Sequence, residues 1–246
     1  MRIRPVGAHA LLLDCIDHPD VSESALVEAW RAELWRRRER GDLVAVEIVP
    51  AARTILLDGL PDPGATAERL ARWAPEVAAT ARRAEAGAEA GADATSAAAS
   101  ARTGSAAGDD ARTNTAAAVD AADVVVPVVF DGPDLPAVAE HWGVPEPAVA
   151  DRLTGTSFRV AFCGFAPGFP YLTGLPAELA LPRLATPRPR VPAGSVALAG
   201  PYAGIYPGAS PGGWLLVGRT DLVLFDVAAD PPTRLAPGTT VRMVPA

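Results

Sequence analysis

The sequence predicts an α+β protein: a small N-terminal α+β domain, a flexible linker, and a β-rich domain of barrel or sandwich type. Three observations carry this prediction. Residues 1–77 alternate strand-like and helix-like patterns in the order β-α-β-β-α. Residues 78–122 hold no aromatic or large aliphatic side chain until Val119, too little apolar area to offset the entropy of ordering them. Residues 123–246 break into short apolar runs separated by Gly/Pro turns, the spacing of a barrel or sandwich.

Taken in order, the apolar stretch Ile3 to Ile16 predicts a first strand rather than a signal peptide, because it is short and closes on Asp14 and Asp17 without a small-residue cleavage site. Asp20 or Ser22 caps a helix that reaches about Arg40, with arginines in its last turn, where they complement the helix dipole, and Gly41 as the stop. Its WRRRER run reads as a solvated face. Leu43 to Val49 and Arg53 to Leu57 are strands broken at Pro50, and Pro61, Pro63 and Gly64 turn the chain into a helix over Ala65 to Trp73. The linker's alanine content permits transient helix. A strand follows from Val124 to Phe130, then a helix through Trp142 after the DGPDLP turn, and a second short helix after Pro147. Strands are predicted at Thr156–Cys163, Val196–Ala199, Trp214–Gly218, Leu222–Asp226 and Thr240–Val244.

Composition excludes several functions. The net charge of −7 argues against a nucleic-acid or anionic-membrane surface, and no apolar run reaches the roughly 20 residues of a bilayer span, so a soluble cytoplasmic protein is expected. Cys15 and Cys163 stand apart with no Cys/His cluster, which predicts no metal site and no disulfide. The three histidines lie far from the motif-rich stretch, so a histidine-based triad would need a residue distant in sequence. The chain has no lysine, which removes Schiff-base chemistry and the phosphate-loop lysine and leaves anion binding to arginine forks.

The stretch Phe162 to Trp214 collects glycine, proline, aromatics and arginine, a costly composition for a purely structural segment. In GFAPGFPYL, Gly164 and Gly168 allow unusual backbone while Pro167 and Pro170 stiffen it. Phe165, Phe169 and Tyr171 then offer a wall for a small heterocycle, or a cap on the barrel core. Arg183, Arg188 and Arg190 follow in LPRLATPRPRVP; the two-residue spacing puts Arg188 and Arg190 on one side of an extended segment, suited to an anion or to solvent. Gly194 and Ser195 could offer amides and a hydroxyl as an anion nest. Tyr206, Ser210, Gly212, Gly213 and Trp214 in GIYPGASPGGW repeat the wall pattern, and Arg219 is a further anion candidate. No catalytic residue emerges: Glu178, Asp221 and Asp226 have no spacing that implies acid-base work, which suggests a half-site completed by a partner chain.

Three runs, GFAPGFPYLTGLP, PRPRVPAGSVALAG and GIYPGASPGGW with GRT after it, resemble the family of the 5-oxoprolinase B subunit, allophanate hydrolase subunit 1 and the kinase inhibitor KipI. The resemblance is dense from Val124 onward and loose over Met1 to Trp73. It implies a cyclophilin-like β-barrel and a chain that works with a homologous C subunit (allophanate hydrolase subunit 2-like) and with a lactam-hydrolase-like A subunit. ATP with Mg2+, shared with the partner, would activate 5-oxoproline for ring opening to glutamate by the A subunit, with Tyr171, Arg188, Arg190 and Ser195 near the shared site and the isolated chain inactive. Two alternatives stay open: half of a biotin-dependent urea or amide carboxyltransferase, and a KipI-like inhibitor of a histidine kinase. Two departures from the family stand out. Leu153 occupies the place of a family histidine, and the alanine-rich segment looks like an insertion.

Overall fold

The computed structural model describes residues 1–16, 18–100 (88–100 as backbone only) and 124–246. The chain divides into two compact units, Met1–Ala121 and Ala122–Ala246. Among the described residues no helix is long and apolar enough to cross a membrane.

In the first unit, β1 (Arg2–Val6) and β2 (Ala10–Asp14) form a hairpin where the sequence predicts one strand. Gly7, at φ +63°, reverses the chain inside an apolar run that hides the turn from hydropathy alone. Helix α1 (Glu23–Glu39) starts where the Ser22 hydroxyl accepts the Ala25 amide at 3.2 Å, and it buries Leu26, Val27, Trp30 and Leu34. Strands β3 (Glu47–Pro50) and β4 (Thr54–Asp58) complete an antiparallel sheet of order β1-β2-β4-β3.

Helix α2 runs from Pro63 to Ser100, well past the predicted end at Trp73. Pro63 suits the first helical position, where its missing N–H costs nothing, and the Asp62 carboxylate accepts the Ala65 amide at 2.9 Å. The linker reading from residue 78 is therefore corrected over 78–100. Ala78 and Ala81 are buried in the same core as Trp30 and Leu70, because a small side chain facing a close neighbour removes apolar surface without bulk, and alanine has the highest helix propensity. Residues 101–122 of the predicted linker lie outside the described residues.

The second unit contains β5 (Val124–Val128), α3 (Leu135–Trp142), α4 (Glu146–Gly155), β6 (Ser157–Cys163), β7 (Pro170–Thr173) and β8 (Arg188–Val191). It continues with β9 (Ser195–Ala199), β10 (Tyr202–Ile205), β11 (Ser210–Gly212), β12 (Leu215–Arg219) and β13 (Thr240–Pro245). Seven strands form one sheet of order β12-β9-β10-β7-β6-β13-β5, antiparallel except for β13 with β5. The two edges meet where Val129 and Arg219 exchange backbone hydrogen bonds at 2.8 and 2.9 Å, so the sheet is a nearly closed barrel. The fold is thus α+β with a barrel domain, as the sequence predicts. Leu153 is fully buried among apolar residues of the barrel unit, including Phe158 and Val241.

Leu222–Asp226 is not a strand; only Phe225 bridges, to Thr233. Conversely β7, β8, β10 and β11 escape prediction, because glycine and proline mask their extended backbone. The pair β8–β11 is a separate two-stranded ribbon with a register irregularity, where Pro189 removes no ladder hydrogen bond of the main sheet. Strand β9 is buried on both faces. Val196 and Leu198 enter the main core, whereas Ala197 and Ala199 face a second cluster with Phe169, Tyr206 and Trp214.

Candidate functional site

The second cluster builds a site because the face of the sheet beneath it is made of small residues. Ala197, Ala199 and Gly204 leave a shallow bed on β9 and β10, over which Phe169, Tyr171, Tyr206 and Trp214 pack. A methyl group on Gly204 would come within 2.9 Å of the Trp214 ring and 3.0 Å of the Phe169 ring, so these aromatics require glycine there. Phe169 meets Tyr206 at 5.0 Å between centroids and Trp214 at 5.4 Å, both edge-to-face, and Tyr171 meets Trp214 at 5.4 Å. Each contact sets the positive edge of one ring against the negative face of the next, which locks the cluster in one arrangement.

The GFAPGF loop covers this bed. Gly164 donates to the Phe169 carbonyl and Phe169 donates to the Ala166 carbonyl, closing a tight loop with Pro167 exposed at its tip. Gly168 takes φ +75° with Phe225 packed where a side chain would stand. Phe165 is the one non-glycine residue at positive φ among the described residues (+68°), and it is 62% exposed. A bulky residue held in the left-handed region and turned toward water is locally strained, a combination that recurs in ligand-binding loops. Its ring stands edge-on to Phe169 at 5.5 Å and to Tyr206 at 6.4 Å.

Between Phe165, Phe169, Tyr171 and Trp214 lies a cavity of about 90 Å³, lined also by Tyr206, Gly212, Gly213 and Arg183. Gly212 is required because a side chain there would strike the Tyr206 hydroxyl. Burial raises the pKa of that hydroxyl, opposed by a hydrogen bond with the Trp214 backbone and by the charges of Arg183 and Arg188, so Tyr206 is neutral at physiological pH. Six of the nine predicted wall residues thus line one cavity with Tyr171: Phe165, Phe169, Tyr206, Gly212, Gly213 and Trp214. Pro167 and Gly168 shape its loop. Ser210 lies on β11, with its hydroxyl oxygen buried and unpartnered among the described residues.

The predicted anion-binding residues are distributed differently. Arg188 donates to Asp134 Oδ1 at 2.7 Å and to the Trp214 carbonyl at 3.3 Å, while Asp134 Oδ2 accepts the Leu216 amide at 2.6 Å. Arg188 is therefore a brace that holds the Trp214–Leu216 segment, with its charge already matched. Arg190 is exposed on β8 and does not line the cavity. The predicted nest is used internally: the Gly194 amide donates to the Tyr206 carbonyl at 2.8 Å and the Ser195 amide to the Pro192 carbonyl at 3.4 Å, while the Ser195 side chain is buried. Gly194, at φ +77°, lets the Thr220 carbonyl approach where a side chain would stand. Arg219 pairs with Asp131 at 2.9 Å and lines a different cavity, of about 370 Å³, with Thr220 and Asp221.

Sequence reasoning misses two residues that matter here. Asp134 reads as one more turn residue of DGPDLP, and nothing local marks it as the partner of an arginine 54 positions away. Arg183 stands in the arginine group, but spacing favours its neighbours. Among the described residues the cavity lining contains no carboxylate, histidine or thiol; its phenols, on Tyr171 and Tyr206, are its only ionisable groups besides Arg183. Cys163, the nearest thiol in sequence, donates to the Leu235 carbonyl, and burial pushes its pKa up to about 11.

Comparison with known proteins agrees with this architecture. The chain is 51% identical over 125 residues to the B subunit of 5-oxoprolinase from Escherichia coli O157:H7, an alignment covering 50% of this chain and 57% of that protein. The chain spans a little over half the length of the curated relatives it matches. Among solved structures, TTHA0988 is similar with a TM-score of 0.66 at 29% identity, over 97% of this chain and 40% of that one. The K. lactis urea amidolyase shares the fold, with a TM-score of 0.58 at 20% identity, over 99% of this chain and 15% of that one. A family model described as "Carboxyltransferase domain, subdomain C and D" matches residues 1–235. On that match, which spans both compact units, the chain belongs to the family of carboxyltransferase domains of subdomains C and D.

Proposed function

We propose that this chain is the B subunit of an ATP-dependent 5-oxoprolinase, working with a homologous C subunit to activate 5-oxoproline for ring opening to glutamate by the A subunit. The observation that carries the reading is an aromatic cavity for a small ring, with one arginine and no carboxylate, histidine or thiol among the described residues that line it. Such a cavity is a half-site, and a half-site needs a partner. The identity to a 5-oxoprolinase B subunit supports the substrate assignment.

Neither the aromatic cavity nor the one beside Arg219 fits ATP by itself. The aromatic cavity is about 90 Å³ with a single cation, and Arg219, at the larger one, is already paired with Asp131. On this reading the nucleotide and its Mg2+ are held mainly by the partner.

The test is reconstitution. The A and C subunits are purified with and without this chain, and 5-oxoproline-dependent ATP hydrolysis and glutamate release are followed together. Loss of both on omission of the chain is expected; equal rates without it would overturn the assignment. The family description also leaves room for a carboxyltransferase half acting on urea or another amide. Biotin-dependent carboxylation of such an amide, with no response to 5-oxoproline, would favour that second reading.

A further inference from the structure

We propose that the aromatic cavity seats a small flat ring bearing a carboxylate, and that Arg183 is the residue that receives the carboxylate. The inference deepens the functional reading above and rests on it for the identity of the ring, 5-oxoproline; the ligand class comes from the cavity's own geometry.

Size comes first. A closed apolar cavity of about 150 Å³ holds benzene. This one, at about 90 Å³, suits one five-membered ring that it only partly encloses and is too small for a nucleoside. The rings of Phe169, Tyr171 and Trp214 are fixed by mutual edge-to-face contacts, so a flat guest meets preformed walls and binding orders few side chains.

Charge selects the second half of the ligand. Arg183 is the single charged residue among those lining the cavity, and its charge reaches the Tyr206 hydroxyl. Arg188 and Arg219 have Asp134 and Asp131 as counterions, whereas Arg183 has no ion-pair partner among the described residues. Its backbone is pinned on both sides: Leu181 and Gly200 exchange hydrogen bonds at 3.1 and 2.6 Å, and the Leu184 amide donates to the Gly213 carbonyl at 2.8 Å. An exposed planar guanidinium with no ion-pair partner among the described residues, carried on a pinned backbone and lining an aromatic pocket, is matched to a carboxylate held bidentately at the edge of a ring.

The experiment is calorimetric titration of the full chain, alone and co-purified with its partners. The ligands are 5-oxoproline and 2-pyrrolidone, the same lactam ring without the carboxylate. The unaltered protein should prefer 5-oxoproline. Arg183→Ala should raise its Kd roughly 10- to 100-fold and leave 2-pyrrolidone unchanged, and Arg183→Lys should recover part of the loss. Trp214→Leu should weaken both ligands. An unchanged Kd for 5-oxoproline in Arg183→Ala, or an equal loss for both ligands, overturns the proposal, as does failure of the unaltered protein to bind either ligand. A reconstituted complex without 5-oxoproline-dependent ATPase, in which the chain still binds the ring carboxylate through Arg183, would sink the functional reading and support the cavity assignment. Full ATPase in a complex whose Arg183→Ala variant binds normally would do the reverse.

Discussion

Asp134 and Arg188, 54 residues apart, form an ion pair at 2.7 Å that fastens the start of α3 to the ribbon beside the aromatic cavity. The same carboxylate accepts the Leu216 amide, and Arg188 also reaches the Trp214 carbonyl. One pair therefore sets the position of the segment that carries a cavity wall.

Removing one partner should cost more than removing an exposed pair. Asp134→Ala leaves Arg188 unmatched and the Leu216 amide without its acceptor. The Asp134 and Arg188 side chains are 11% and 28% exposed, so we expect a loss of about 2–3 kcal/mol, below the roughly 3–5 kcal/mol of a fully buried pair. Urea unfolding of the single and double variants measures this; a double variant more stable than Asp134→Ala would identify the stranded charge as the main cost.

Gly204→Ala should disturb the cavity without replacing a residue of its lining. The added methyl would stand 2.9 Å from the Trp214 ring and 3.0 Å from that of Phe169, so the rings must shift. We expect destabilisation of about 1–3 kcal/mol, as in other overpacked sites, with a changed near-ultraviolet circular dichroism signal from the displaced aromatics. An unaltered spectrum would show that the rings stay in place and the backbone of β10 takes up the added methyl, against this prediction.

The thiols give a pH prediction. Burial pushes Cys15 up to about 12 and Cys163 up to about 11, from an ordinary value of 9.0. Both folded-state values lie above the unfolded one, so the unfolded chain releases these protons first as pH rises. Their contribution to stability is whole below pH 9 and is lost progressively from pH 9 through 11–12. Urea midpoints should fall over that range, less steeply in Cys15→Ala, and native labelling by a thiol reagent near neutral pH should be far slower than labelling of the unfolded chain.

Leu153→His should not be neutral, although the resemblance places a histidine there. Leu153 is fully buried among apolar side chains of the barrel unit. We expect a loss of about 2–4 kcal/mol at neutral pH from forfeited apolar packing and an unpaired polar ring. The deficit should grow as pH falls below about 6.5, because burial disfavours the imidazolium and the unfolded state then binds the extra proton. Thermal melts at roughly pH 8 and roughly pH 5.5, on either side of that value, test both parts.

The sequence by itself determined the α+β character of the first unit, though not its opening hairpin, the barrel-type β content of the second, and the stretch that carries the cavity. Those follow from local signals: the Ser22 cap, basic last turn and Gly41 stop for α1, and an aromatic and glycine density at Phe165–Tyr171 and Tyr206–Trp214 that a plain strand does not use. Composition misjudged α2, because alanines such as Ala78 and Ala81 bury little area individually and become core only when a neighbour comes close. Tertiary structure alone decided which arginine faces the cavity. Arg183, Arg188 and Arg190 share one short proline-rich segment and look alike there. Asp134 neutralises Arg188, whereas Arg183, flanked by the backbone pairings of Leu181 with Gly200 and of Leu184 with Gly213, lines the cavity. A guanidinium's role depends on the carboxylate or cavity beside it, and those neighbours are brought up by chain segments far away in sequence.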